Sequence, residues 1–304
     1  MKRFCLLVSR KFWSCLRVSG LVRLLSDEFF CRVQYFLWMG KRLRLNPPID
    51  FNEKVQWLKI NYRNPLLPKC VDKYDVRKFV ADRIGEKYLN SIIGIYNRVE
   101  DINWKDMPQR FVLKATHGSG WNLICKDKSS FDIESAKKIM RKWLKKDFSL
   151  NGREWQYHEI TPRIICETFL EDKNSDDLMD YKMFTFNGVC RYIWVDYYKT
   201  DVSKGLKMHV RNIYDSEWVF QKGKGHLFPH GDGKDIQRPE CLKEMISLAA
   251  KLSSEFPLCR VDFYVLENKR PIFGELTFSP ANGCNEFYPA SFCDELGGYI
   301  ELPN

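Results

Sequence analysis

The chain is predicted to be an α+β protein built on antiparallel sheets, and three observations predict it. Apolar runs of strand composition come as close pairs joined by turn residues, at 111–125, 181–195 and 258–278, which is the pattern of hairpins. Helical periodicity is confined to separate stretches at 51–61, 72–84, 133–146 and 239–256. With 304 residues, 44% of them hydrophobic and 14% aromatic, the chain can bury a substantial core and is not disordered.

The elements follow in order. Residues 1–46 carry ten Lys or Arg against Asp27 and Glu28, which is +8 of the total +10. Apolar and aromatic residues from Phe4 to Phe30 are interleaved with these cations. The segment has no apolar run of the roughly 18 residues that a spanning helix needs, and Arg10, Lys11 and Arg17 interrupt any signal-peptide core. Two readings stay open, an amphipathic helix on an anionic lipid surface or an ordinary helix packed on the body. Nucleic acid is not expected as a partner, because the charge sits at one end and no recognised module accompanies it.

Asn46-Pro47-Pro48 breaks this segment from a helix at 51–61 that buries Val55, Trp57 and Leu58. A Lys- and Arg-rich helix is expected at 72–84 and a short strand at 88–96. Strands on either side of His117-Gly118-Ser119-Gly120 come next, and then a helix at 133–146 with Ala136, Met140 and Trp143 at helical spacing. A buried strand at 163–169 carries Glu167, and Asn187-Gly188 marks a hairpin turn. Residues 196–238 are polar and rich in Gly and Lys, and long loops are expected there. The helix at 239–256 directs Leu242, Met245, Ala249 and Leu252 into the core. The expected division is a basic segment 1–46, a helical subdomain 47–105, and two sheet subdomains at 106–172 and 173–304.

Eleven cysteines, an odd number without a CxxC pair, fit a reducing cytosol. His226 and His230 are four apart, but Pro229 and the nearby glycines deny them a helix, so no zinc site is expected there.

The most informative stretch is 259–283, where two apolar strands carry Arg260, Asp262 and Glu275. Antiparallel pairing would bring Asp262 and Glu275 together, and converging carboxylates repel unless a cation joins them. Hard oxygen donors favour Mg2+ shared with substrate phosphates. The alternative is that both are solvated strand charges. Gly118-Ser119-Gly120, with Lys114 upstream, can present N–H groups and an ammonium to phosphates, although a plain glycine turn reads the same way.

The order of these parts resembles the ATP-grasp ligases: Lys73 in a helical segment, Lys114 before a glycine loop, Glu167 near a strand end, then Arg260, Asp262 and Glu275 on a late hairpin. The blocks FNEKVQWLK, RNPLLPK, DKYDVRKFV, FVLKATHGSGWN, GREWQY, DYKMFTFNG, RVDFY and GELTF resemble those of the TupA-like branch, which is associated with teichuronopeptide and capsular polysaccharide synthesis. The resemblance covers residues 51–303 and leaves the basic segment outside.

It implies an ATP-grasp fold, with two antiparallel-sheet subdomains sandwiching ATP. Lys73 and Lys114 would contact the ATP phosphates, and Gly118, Ser119 and Gly120 would form the lid. Glu167, Thr168, Phe169 and Leu170 would line the adenine pocket, with Asp180 or Glu171 on the ribose. Asp262 and Glu275 would bind Mg2+, and Arg260 would stabilise the acyl phosphate. The chain departs from the pattern at Thr277, where many relatives have Asn. A hydroxyl is a weaker neutral donor, and Ser279 or Asn282 are the alternatives for that position.

The implied activity is an ATP-dependent, ADP-forming carboxylate–amine ligase. Its substrates would be an amino acid or peptide amine and a uronic-acid carboxylate on a glycan or sugar nucleotide. The implied location is the cytoplasm, with peripheral membrane contact through residues 1–46. A capsule-locus glycosyltransferase using a nucleotide sugar is the rival reading, since such enzymes also place a metal between acidic residues and a diphosphate. A nucleotide-binding scaffold without turnover draws support only from Thr277.

Overall fold

The computed structural model describes residues 2–173, 178–201 and 206–303, with the backbone alone described at 2–9, 200, 201 and 206. The side chains of Phe4, Leu6 and Leu7, and the part of the expected 196–238 loop at 202–205, lie outside what is described.

The basic segment forms a helical hairpin, α1 (Lys2–Val18) and α2 (Asp27–Met39). Ser26 caps α2 by accepting from the Phe29 amide, and Gly40 ends it in the left-handed conformation. Trp13, Val22, Phe30, Tyr35, Leu37 and Leu43 bury one another and Cys284. Of the two readings left open, the packed helix describes this half of the segment. Its other face leaves Phe12, Val18, Leu24 and Phe29 exposed.

Three helices follow, α3 (Phe51–Asn61), α4 (Leu67–Val71) and α5 (Val76–Ile84). A capping box between Asp50 and Glu53 starts α3. This helix buries Gln56 and Lys59 as well as Val55 and Leu58, while Trp57 is half-buried. The first sheet contains β1 (Ile92–Tyr96), β2 (Phe111–Ala115), β3 (Asn122–Cys125) and β4 (Ile164–Thr168), in the order β1-β4-β2-β3 and antiparallel throughout. Between β3 and β4, α6 (Ile133–Leu144) packs Met140 and Trp143 on the face carrying Phe111, Leu113, Ala115, Ile164 and Cys166. Alternation then turns Lys114 and Glu167 to the opposite face.

The second sheet holds β5 (Asp180–Phe186), β6 (Val189–Asp201) and β7 (Leu206–Asp215). After the short β8 (Gly225–His226) and α7 (Leu242–Ser253), the chain adds β9 (Leu258–Leu266) and β10 (Arg270–Thr277) to that sheet. The order is β10-β9-β5-β6-β7. The structure corrects the expectation of long loops over 196–238, because β6 runs on to Asp201 and all of β7 lies in that range. Polar residues on β7 such as His209 and Arg211 disguise a strand whose Val210 and Tyr214 are buried.

One face of this sheet, with Met183, Ile193, Val195, Val261 and Phe263, packs on α7. The other is divided. Phe184, Phe186, Trp194, Ile213 and Leu258 lie under α3 and α8 (Ala290–Gly298), which follows β11 (Phe287–Tyr288). The remaining half of that face carries charged residues, and there the site lies.

Candidate active site

Strand pairing sets out a row of charged residues of both signs across five strands. Glu275 on β10 stands opposite Asp262 on β9, after a bulge at Gly274. Lys182 on β5 is the cross-strand neighbour of Asp262, Asp180 that of Asp196 on β6, and Asp196 that of Arg211 on β7. Arg260 Nη2 lies 2.6 Å from Asp262 Oδ2 and 2.8 Å from Glu275 Oε1. Lys182 Nζ bonds Asp180, reaches Asp262 at 3.2 Å and lies 3.7 Å from Asp196. Arg211 holds Asp196 bidentately at 2.5 and 2.6 Å, and its Nη1 is 3.1 Å from His226 Nδ1.

The electrostatics follow the row. Burial would raise Asp262, but Arg260 and Lys182 outweigh it and hold the carboxyl below its ordinary range. Burial and the neighbouring Asp262 push Asp180 up to about 6. Burial works against the Lys182 and Arg260 cations, yet the surrounding carboxylates raise both.

Across from this row lie the groups of the first sheet. Lys114 Nζ is 2.7 Å from Glu167 Oε2. Lys73, just before α5, donates to the Gly118 carbonyl at 2.6 Å and lies 3.9 Å from Glu275. Burial lowers the Lys73 ammonium, and Lys114 adds to the effect. Lys73, Arg77, Lys114, Glu167, Phe273 and Gly274 line one small cleft between the sheets. Gly118 is buried against Trp121, where a Cβ would come within 2.7 Å of the ring. Ser119 and Gly120 are exposed, and Gly120 has a φ of 72°.

Most of the predicted residues therefore meet: Lys73, Lys114 and Glu167 from one side, Asp180, Arg260, Asp262 and Glu275 from the other. Thr277 Oγ1 is 3.2 Å from Glu275 Oε1, which places it on the same edge. Thr168, Phe169 and Leu170 leave the end of β4, with Phe169 under the Arg110 guanidinium. Glu171 is exposed and paired with Arg110 at 2.8 Å.

Sequence reasoning missed Lys182, Arg77 and Glu154. Lys182 was findable, being two residues from Asp180 on one strand and so on the same face. Glu154 is a lone acid between two conspicuous residues and gave no pattern. Burial pushes its carboxyl up to about 7, opposed by Lys59, the Ser279 hydroxyl and Arg260 and reinforced by Glu275. Tyr157 is raised well above its usual range by burial, with Glu154 and Glu275 adding to the effect.

The donor set fits a divalent ion bound jointly with phosphates. Among the described residues no three His, Cys, Asp or Glu gather as a metal cage, but Asp262 and Glu275 converge on one cation, Arg260. Mg2+ commonly takes one or two carboxylates and completes its shell with phosphates and water.

Two antiparallel sheets closing on paired cations and carboxylates are the architecture of an ATP-grasp protein. The family model for TupA-like ATPgrasp matches residues 53–301, and the chain belongs to that family. No curated protein matches the chain. Similar solved structures include D-alanine--D-alanine ligase from Bacillus anthracis, at 15% identity and a TM-score of 0.36, covering 76% of this chain and 59% of that one. Another is the ATP-grasp ligase PsnB in complex with a precursor variant, Mg and ADP, at 10% identity and a TM-score of 0.42, covering 82% and 66%. A third is N5-carboxyaminoimidazole synthase from Aspergillus clavatus, at 11% identity and a TM-score of 0.37, covering 73% and 46%. The chain thus spans about three fifths of the ligase's length and just under two thirds of PsnB's.

Proposed function

We propose that the protein is an ATP-dependent carboxylate–amine ligase that forms ADP and joins an amino acid or short peptide to a uronic-acid carboxylate in cell-surface polysaccharide synthesis. The observation that carries the reading is the placement of Arg260 between Asp262 and Glu275, facing Lys73 and Lys114. A carboxylate is a poor acyl donor because its leaving group would be oxide, and phosphorylation supplies a better one. Such transfer needs positioning and charge neutralisation more than covalent help.

In this reading Lys73 and Lys114 hold the phosphates, and the Gly118 to Gly120 loop covers them. Glu167 to Leu170 line the adenine. Asp180 or Glu171 takes the ribose, and comparing ATP affinity in Asp180→Asn and Glu171→Gln decides between them. Asp262 and Glu275, with Thr277 beside them, would hold Mg2+, which neutralises phosphate charge when bound. Arg260 then faces the acyl phosphate and the oxyanion formed on amine attack. The glycan context rests on the family.

No helix among the described residues is long and apolar enough to cross a membrane. Peripheral contact is supported by the exposed face of the N-terminal hairpin, where Phe12, Val18 and Leu24 are 65%, 90% and 86% exposed beside Lys11 and Arg23.

The test is incubation with MgATP, hydroxylamine and a panel of uronic acids and amino acids. ADP with hydroxamate is the expected result, while AMP would overturn an acyl phosphate. Stabilisation by a UDP-sugar without ATP turnover would favour the glycosyltransferase.

A further inference from the structure

The segment that carries Glu154 is pinned on both sides. Arg153, in the left-handed region at φ 56°, donates to the carbonyls of Val22 and Leu25 in the N-terminal hairpin. Trp155 donates from Nε1 to the Tyr62 carbonyl at 3.1 Å, beneath the Arg63 guanidinium. Gly152 lies so close to Asn282 that a Cβ would collide with its amide. These anchors turn Glu154 inward to Ser279, Arg260 and Glu275.

The other carboxylates of the site each have a cation: Glu167 has Lys114, Asp196 has Arg211, Asp180 and Asp262 share Lys182, and Glu275 has Arg260. Among the described residues no cation lies within salt-bridge distance of Glu154. The nearby Lys59 spends its ammonium on Gln56 Oε1 at 2.9 Å and Asn282 Oδ1 at 2.6 Å. The Ser279 hydroxyl brings it no countercharge, and a half-buried carboxylate without one is costly to keep ionised unless a ligand completes it.

We infer that Glu154 is the carboxylate that receives the ammonium of the amine substrate and holds its nitrogen against the acyl carbon beside Arg260. This rests on the ligase reading above. In the attack the C–N bond forms and the acyl C–O bond to phosphate breaks. Of the two ammonium protons lost, one leaves with the phosphate and one passes through the Glu154 carboxylate to water. The site thus selects a cationic, primary amine.

The experiment compares wild type, Glu154→Gln and Glu154→Asp with two kinds of nucleophile: hydroxylamine, which is largely uncharged near neutral pH, and the amino acids of the panel, to which dipeptides are added. Glu154→Gln should raise the KM for the amine about 10- to 100-fold more than it raises that for hydroxylamine, the weight of a hydrogen bond to a charged group. Glu154→Asp should recover part of it. Equal losses with both nucleophiles, or no change with either, would overturn the inference. If wild type forms neither ADP nor hydroxamate, the ligase reading itself fails and takes this one with it.

Discussion

Lys73 and Gly118 are joined within one side of the site, the lysine ammonium donating to the glycine carbonyl at 2.6 Å. The contact ties the start of α5 to the turn between β2 and β3. It occupies the cation that the ligase reading assigns to phosphate, so nucleotide and turn carbonyl compete for one ammonium.

Lys73→Met should weaken ATP binding about 10- to 100-fold with little loss of stability, read as a smaller rise in Tm on adding MgATP. Lys114→Met should lose affinity and also on the order of 3 kcal/mol of stability, because it strands Glu167 without its partner. Adding Glu167→Gln to it should restore much of the stability. A Lys114→Met protein that unfolds like wild type would contradict the pairing.

Asp262→Asn and Glu275→Gln should each abolish hydroxamate formation, and chelation of divalent ions should do the same to wild type. Thr277→Asn supplies a better neutral oxygen donor at the edge of the pair. A lower Mg2+ requirement in that variant would show that the position tunes the ion, and an unchanged one would remove Thr277 from the metal's surroundings.

His226 supplies a pH signature separate from Asp262 and Glu275. Burial, with Arg211 beside it, lowers its imidazole from 6.5 to about 4. Between those values the unfolded chain binds more protons than the folded one, so its contribution to stability is full above pH 6.5 and is lost as pH falls toward 4. The loss is up to about 3 kcal/mol. His226→Asn should flatten the Tm profile across that window, and an unchanged slope would place the acid sensitivity elsewhere.

The N-terminal hairpin offers a separate test. Removing residues 1–46 would expose Cys284 and take the Val22 and Leu25 carbonyls from Arg153, so truncation should cost ligase activity and stability together. Membrane contact is better tested with Phe12→Ser, Leu24→Ser and Arg23→Gln, which alter exposed side chains. These variants should lose binding to anionic vesicles while retaining activity in solution. Vesicle binding equal to wild type would end the peripheral proposal.

Sheets and site differed in how visible they were in the sequence. The hairpin carrying Asp262 and Glu275 was legible because charges interrupt two strongly apolar strands, although the bulge at Gly274 that faces them together was not. β7 was hidden because its site-facing side chains are as polar as a loop's. The N-terminal aromatics read equally well as lipid-facing or core-facing, because burial of Trp13, Phe30 and Tyr35 depends on α2 and Cys284, which no local pattern reveals. Glu154 became visible only through the missing countercharge, a property of three-dimensional neighbours.

The row of charges across the second sheet has a consequence for how a nucleotide enters. Nearly every cation in the cleft already holds a carboxylate or a carbonyl, so in the ligase reading a triphosphate would meet a neutral surface and have to displace existing partners. Taken alone, it would leave Glu275 and Glu167 without countercharge and Asp262 with Lys182 only. In the ligase reading, a nucleotide arriving with its divalent ion would allow a double exchange, with Asp262 and Glu275 available to the ion and Arg260, Lys73 and Lys114 to the phosphates. On that reading, the resting pairings of the protein would favour the metal complex over free ATP.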